Sequence, residues 1–101
     1  MKMNRRYHVP LEIDEARHAV RKAVMELSWP LESDDGTVLR VHTVATKSTR
    51  MTITLVPGAA GTDLEIAARL FGFGPWVERD LGGRINQLAN AVSVTSGVSL
   101  R

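Results

Sequence analysis

The sequence contains no cysteine. That excludes thiol nucleophiles, disulfides and cysteine-ligated zinc, and it fits a reducing compartment. No apolar run approaches the roughly 18 residues that a membrane-spanning helix needs. The basic start Met1-Lys2-Met3-Asn4-Arg5-Arg6 leads into an alternating strand pattern, where a secretory signal would carry an apolar segment. A cytoplasmic protein without membrane attachment is expected. Internal repeats, low-complexity tracts and linkers are also missing. The 101 residues are 44% hydrophobic and 24% charged, which is the size and composition of one ordinary globular domain. The expectation is a single domain, 1–101.

An excess of one charge sign is lacking as well. The net charge is +2, and Arg5, Arg6, Arg17, Arg21, Lys22, Arg40, Arg50, Arg69, Arg79, Arg84 and Arg101 are spread along the chain with acids between many of them. A nucleic-acid module usually gathers its basic residues on one face or stripe, so nucleic acid is not the expected partner.

Signatures of catalysis and metal binding are absent too. His8, His18 and His42 have no paired ligand spacing such as i, i+4 on a helix. The acidic pair Asp34-Asp35 stands beside Gly36 and reads as a turn. Arg17, His18, Arg21 and Lys22 read as the solvated face of a helix. Gly72-Phe73-Gly74 precedes a helix start, where free N–H groups attract anions. The third glycine of the dinucleotide fingerprint would fall at Val77, however, and a hinge is the better reading. No serine sits in a Gly-x-Ser-x-Gly elbow, and no carboxylate pair has a spacing that demands acid–base work. The expectation is a non-enzyme with no metal and no cofactor.

What is present is hydrophobic periodicity. Tyr7, Val9 and Leu11 alternate with Arg6, His8 and Pro10 as a first strand, which Pro10 confines to a sheet edge or ends there. Asp14 is a suitable helix N-cap. Ala16, Ala19, Val20, Ala23, Val24 and Leu27 then form one helical stripe, which stops near Ser28 or Trp29 before Pro30. Ser33-Asp34-Asp35-Gly36 is a turn. Three alternating strands come next over 37–46, 50–57 and 62–71, joined by short loops as an antiparallel meander. After Gly72-Phe73-Gly74-Pro75, the residues Val77, Leu81, Ile85, Leu88 and Val92 repeat at helical spacing. Gly82-Gly83 marks close packing or a bend, and the tail from Ser93 frays or extends. The fold class is α+β: a two-layer sandwich, β-α-β-β-β-α, whose antiparallel sheet carries two helices on one face.

The segment Tyr7-His8-Val9-Pro10-Leu11-Glu12-Ile13-Asp14, leading into a helix that ends at Ser28-Trp29, resembles the opening of START-like helix-grip domains. These are the polyketide-cyclase and Bet v 1-like (SRPBCC) proteins. The later stretch is similar as well: a strand, the Pro57-Gly58-Ala59-Ala60-Gly61-Thr62 turn, another strand, then Phe71-Gly72-Phe73-Gly74-Pro75-Trp76 into a long C-terminal helix. The resemblance covers residues 7 to 95 and implies a truncated helix grip, with fewer strands than members that close a cavity. It implies a shallow lipid or polyketide pocket or none, with dimerisation as a means of completing the missing wall.

Two surfaces emerge as candidate sites. Trp29, Phe71, Phe73 and Trp76 either plug the ends of the core or rim an apolar cleft for a small ligand or partner. Val38, Arg40, His42, Val44 and Arg69, with Thr52, Thr54 and Ala67, lie on the sheet face that the helices leave open. Glu65 and Arg69 either pair across that face with Arg40 or His42, in a patch able to take an anion, or belong to a plain solvated sheet surface, which is the better reading. The expected function is that of a small non-catalytic accessory protein, of bacterial or phage origin from its alanine- and arginine-rich usage. It would act through protein–protein contacts and form a homodimer. The alternative is a carrier of a small apolar ligand between the C-terminal helix and the sheet.

Overall fold

Alternating side chains from residue 38 onward build the centre of a five-stranded antiparallel sheet. The computed structural model describes residues 1–43, 49–70, 72 and 74–100. Its strands are β1 (Lys2–Val9), β2 (Leu31–Asp34), β3 (Val38–His42), β4 (Arg50–Gly58) and β5 (Gly61–Arg69), and its helices α1 (Ile13–Glu26) and α2 (Pro75–Ser96). The spatial order is β1-β5-β4-β3-β2. The first strand therefore lies beside the last, at an edge, and it stops at Val9, directly before Pro10, the second of the two alternatives that the proline allows.

The register places Leu39, Ile53 and Ile66 in one row across three strands, with Val41, Met51 and Ala68 in another. All six are buried, as are Leu55, Leu64 and Leu70. Ala16, Ala19, Val20, Ala23 and Val24 of α1 and Val77, Leu81, Ile85, Leu88 and Val92 of α2 cover them. The α+β sandwich with both helices on one face is the architecture that the hydrophobic periods predict. Leu27, expected in the core, is only partly buried at its margin.

Several local features differ from the sequence reading. The sheet has one strand more, because Leu31–Asp34 pairs with β3 across a register shift between Leu31 and Ser33. The turn begins only at the end of that strand. There Asp34 Oδ1 accepts from the Gly36 N–H at 2.9 Å, and Asp35 Oδ1 from the Val38 N–H at 2.8 Å. Asp14 lies inside the first turn of α1, and the N-cap is Glu12, without a side-chain cap. Helix α2 runs unbroken through Gly82-Gly83, and neither glycine demands close packing. A Cβ on Gly82 would meet its nearest atom, on Arg5, at 3.5 Å, and one on Gly83 would meet nothing within 4 Å. The helix also continues past Ser93 to Ser96, where Gly97 caps it at φ 74°.

The end of α1 explains Trp29. Ser28 takes a left-handed φ of 58°, and the Trp29 N–H donates back to the Val24 carbonyl at 3.1 Å. This is the Schellman closure, in which the residue after the reversal normally packs against the helix end. Trp29 and Val24 are accordingly both buried.

On α1, Arg17 and Arg21 are not simply solvating groups. Both donate to Asp34 at the end of β2, with Nη2 of Arg17 and Nη1 of Arg21 at 2.8 and 3.0 Å from Oδ2. The Gly36 N–H, followed by the Arg17 guanidinium, holds the Asp34 carboxyl below its ordinary pKa. The extra strand is thereby tied to the helix layer.

Candidate functional site: the open face of the sheet

Side chains of opposite parity to the core occupy the uncovered face. Lys2, Asn4, Arg6 and His8 of β1 stand opposite Arg69, Ala67, Glu65 and Asp63 of β5. These β5 residues in turn stand opposite Arg50, Thr52, Thr54 and Val56 of β4. Val38, Arg40 and His42 of β3 complete the face. The expected residues Val38, Arg40, His42 and Arg69 thus share one surface, whereas Val44 lies outside the described residues.

The two halves of this face differ in charge. Toward the β4–β5 hairpin, Arg6 pairs with Glu65, and His8 Nδ1 lies 2.9 Å from Asp63 Oδ1. His8 Nε2 also lies 3.1 Å from the Ala60 carbonyl oxygen. The hydrogen bond that Arg6 donates to Glu65, reinforced by the carboxylate charge, pushes the guanidinium pKa upward. A depression of about 480 Å³ runs beside Arg6, Thr54 and Glu65. Glu65 is therefore taken by Arg6, and not by Arg40 or His42. Edge strand β1 brings Arg6 directly opposite it, and His42 Nδ1 finds Glu32 at 3.4 Å.

At the other end, Lys2, Arg69 and Arg50 stand in direct register across β1, β5 and β4. With Arg40 they line a second depression of about 460 Å³, where Glu32 is the one carboxylate among the described residues. Among the described residues none of these four cations has an ion-pair partner. Like charges directly opposite on a sheet repel. Lys2 and Arg50 escaped the sequence reading because its first strand began at Arg6 and its charges were weighed along the chain. The signal was parity: Arg50 shares a face with Thr52 and Thr54.

The aromatic candidates occupy different environments. Trp29 is a core residue, 5% exposed, while Trp76 in the first turn of α2 is 77% exposed. Arg79 lies over the Trp76 ring, 5.9 Å from its centroid. Phe71 and Phe73 fall outside the described residues. Where an apolar cleft between α2 and the sheet would run, Leu81, Ile85 and Leu88 are packed to 0–1% exposure. Among the described residues no group of three or more His, Asp or Glu could hold a metal ion. No described helix is long and apolar enough to cross a membrane.

Two solved structures superpose on nearly the whole chain. The crystal structure of Ara h 8.0201, a Bet v 1-family allergen, matches with a TM-score of 0.61 at 8% identity, covering 95% of this chain and 97% of that one. This is a Bet v 1-like helix-grip fold. The crystal structure of TTHA0849 from Thermus thermophilus matches the helix grip with a TM-score of 0.52 at 11% identity and the same coverage of both chains. No family model and no curated protein matches the sequence. At these identities the likeness concerns the fold alone.

Proposed function

We propose that this helix-grip chain is a non-catalytic interaction protein that acts through protein–protein contacts on the open face of its sheet. One observation carries the reading. The helix-covered face is filled by its own side chains, while the opposite face keeps two depressions lined by unburied charged and polar groups. A soluble antiparallel sheet can face water, but its charges are then normally interspersed by sign. Half of this face departs from that pattern.

Self-association is one form of the proposal. A two-fold axis along the strands brings the Lys2–Arg69–Arg50 row of one copy to the same end of the other, cation against cation. An axis across the strands sets that row over His8, Asp63 and Val56, where Asp63 already faces His8. Charge therefore favours a partner other than a second copy.

A photo-crosslinking residue placed at Thr52 on the open face, and separately at Gln87 on α2, tests the reading in the cells that make the protein. Adducts of discrete mass should form from position 52 only, and sedimentation equilibrium identifies any that are dimers. Adducts from neither position, or from position 87 alone, would sink it.

A further inference from the structure

The Lys2–Arg69–Arg50 row is a cost that folding alone does not explain. Three cations stand directly opposite one another on adjacent strands, a placement that opposes pairing. Arg40 adds a fourth beside the same depression. Glu32, the one acid lining it among the described residues, already faces His42 at 3.4 Å. None of residues 44–48, which join β3 to β4, is acidic.

We infer that this end of the open face binds an acidic polypeptide segment, its carboxylates set across β1, β5, β4 and β3 against Lys2, Arg69, Arg50 and Arg40. The inference rests on the open-face reading above and names the chemistry of the partner. Neighbouring strands lie about 4.8 Å apart, so Lys2 to Arg50 spans about 10 Å. Alternate side chains of an extended peptide are about 7 Å apart, so the row and Arg40 match two or three carboxylates. Three of the four cations are arginines, whose planar fork suits a carboxylate.

Nucleic acid fits this surface less well. Single-strand binders combine basic grooves with aromatic stacking platforms, and no described residue of the open face is Phe, Tyr or Trp. Beyond the row, Glu65 and Asp63 stand in the path of a continuing phosphate backbone.

Fluorescence anisotropy of a labelled hexaglutamate peptide tests the inference, with an oligothymidylate of equal charge as competitor. The peptide should bind the intact protein, and added salt should weaken it. Arg50→Glu with Arg69→Glu should weaken binding about tenfold, from two lost surface charge contacts. Arg79→Glu with Arg84→Glu on α2 makes the same change in net charge and should leave affinity within about threefold. If the reversed row does not fold, Lys2→Ala with Arg40→Ala, set against Arg79→Ala with Arg84→Ala, provides a comparison again matched in net charge. Equal losses from row and helix variants, no binding, or displacement by the oligothymidylate at lower concentration than by unlabelled peptide would each overturn the inference. Crosslinks from position 52 that persist in the row-reversed protein would overturn it while leaving the open-face reading intact.

Discussion

Arg17 on α1 grips Asp34 at the end of β2 through both carboxylate oxygens, with Nη2 to Oδ2 at 2.8 Å and Nε to Oδ1 at 3.3 Å. The two residues are 17 positions apart, and the pair fixes a four-residue edge strand that has only one neighbour in the sheet. The Asp34 side chain is 9% exposed, while those of Arg17 and Arg21 remain partly in water. Solvent therefore moderates what the cluster contributes.

Asp34→Asn should destabilise the domain by about 1 kcal/mol at neutral pH. The folded carboxyl has a lowered pKa, so between the folded and unfolded values the unfolded chain binds more protons. The stabilisation is complete above the ordinary aspartate pKa of about 4 and is lost as pH falls through the folded value. Urea unfolding from pH 7 downward should show the two proteins converging in the acid range. A gap of constant size would contradict the role given to the charge.

Gly61→Ala should be severely destabilising. Gly61 sits at φ 138°, and a Cβ there would lie 2.3 Å from the Val9 carbonyl oxygen, a backbone atom that cannot swing aside. This is where edge strand β1 meets the β4–β5 hairpin. A loss of about 2 kcal/mol or more is expected, visible as a lower urea midpoint. Unchanged stability would mean that β1 does not approach the hairpin this closely.

Gly83→Ala should do the reverse. The position is exposed, inside α2, with open space where the methyl would go. Helix propensity and reduced freedom of the unfolded chain should add about 0.5–1 kcal/mol, measured by thermal or urea unfolding. Destabilisation would indicate that α2 bends there after all.

Ser28→Gly should raise stability by a few tenths of a kcal/mol up to about 1, because glycine accepts the left-handed conformation that serine holds under strain. Trp29→Ala should cost about 3–5 kcal/mol by emptying a core site. A Trp29→Ala protein as stable as its parent would instead favour a rim role for the ring.

The helix stripes and the alternating faces of β3, β4 and β5 were legible because each comes from a repeating period, and Pro10 marked where β1 stops. Strand β2 was not. Leu31-Glu32-Ser33-Asp34 is short, polar and shifted in register, and it is held by β3 and by arginines from a distant helix. Such elements have no period of their own. The reach of α1 was misjudged at its start for a similar reason, since Asp14 suits an N-cap but the backbone already turns at Glu12.

The sequence by itself determined which face of each periodic helix and strand is buried, because alternation and helical spacing arise from local backbone geometry, whereas Leu27 and Trp29, at the end of α1, were placed only by the tertiary structure. It did not determine which surface charges are neighbours. Lys2, Arg50 and Arg69 are spread along the chain and become a single row only when β1 pairs with β5 and β5 with β4. Charge complementarity depends on distances in space, and only the strand order of the folded sheet sets them.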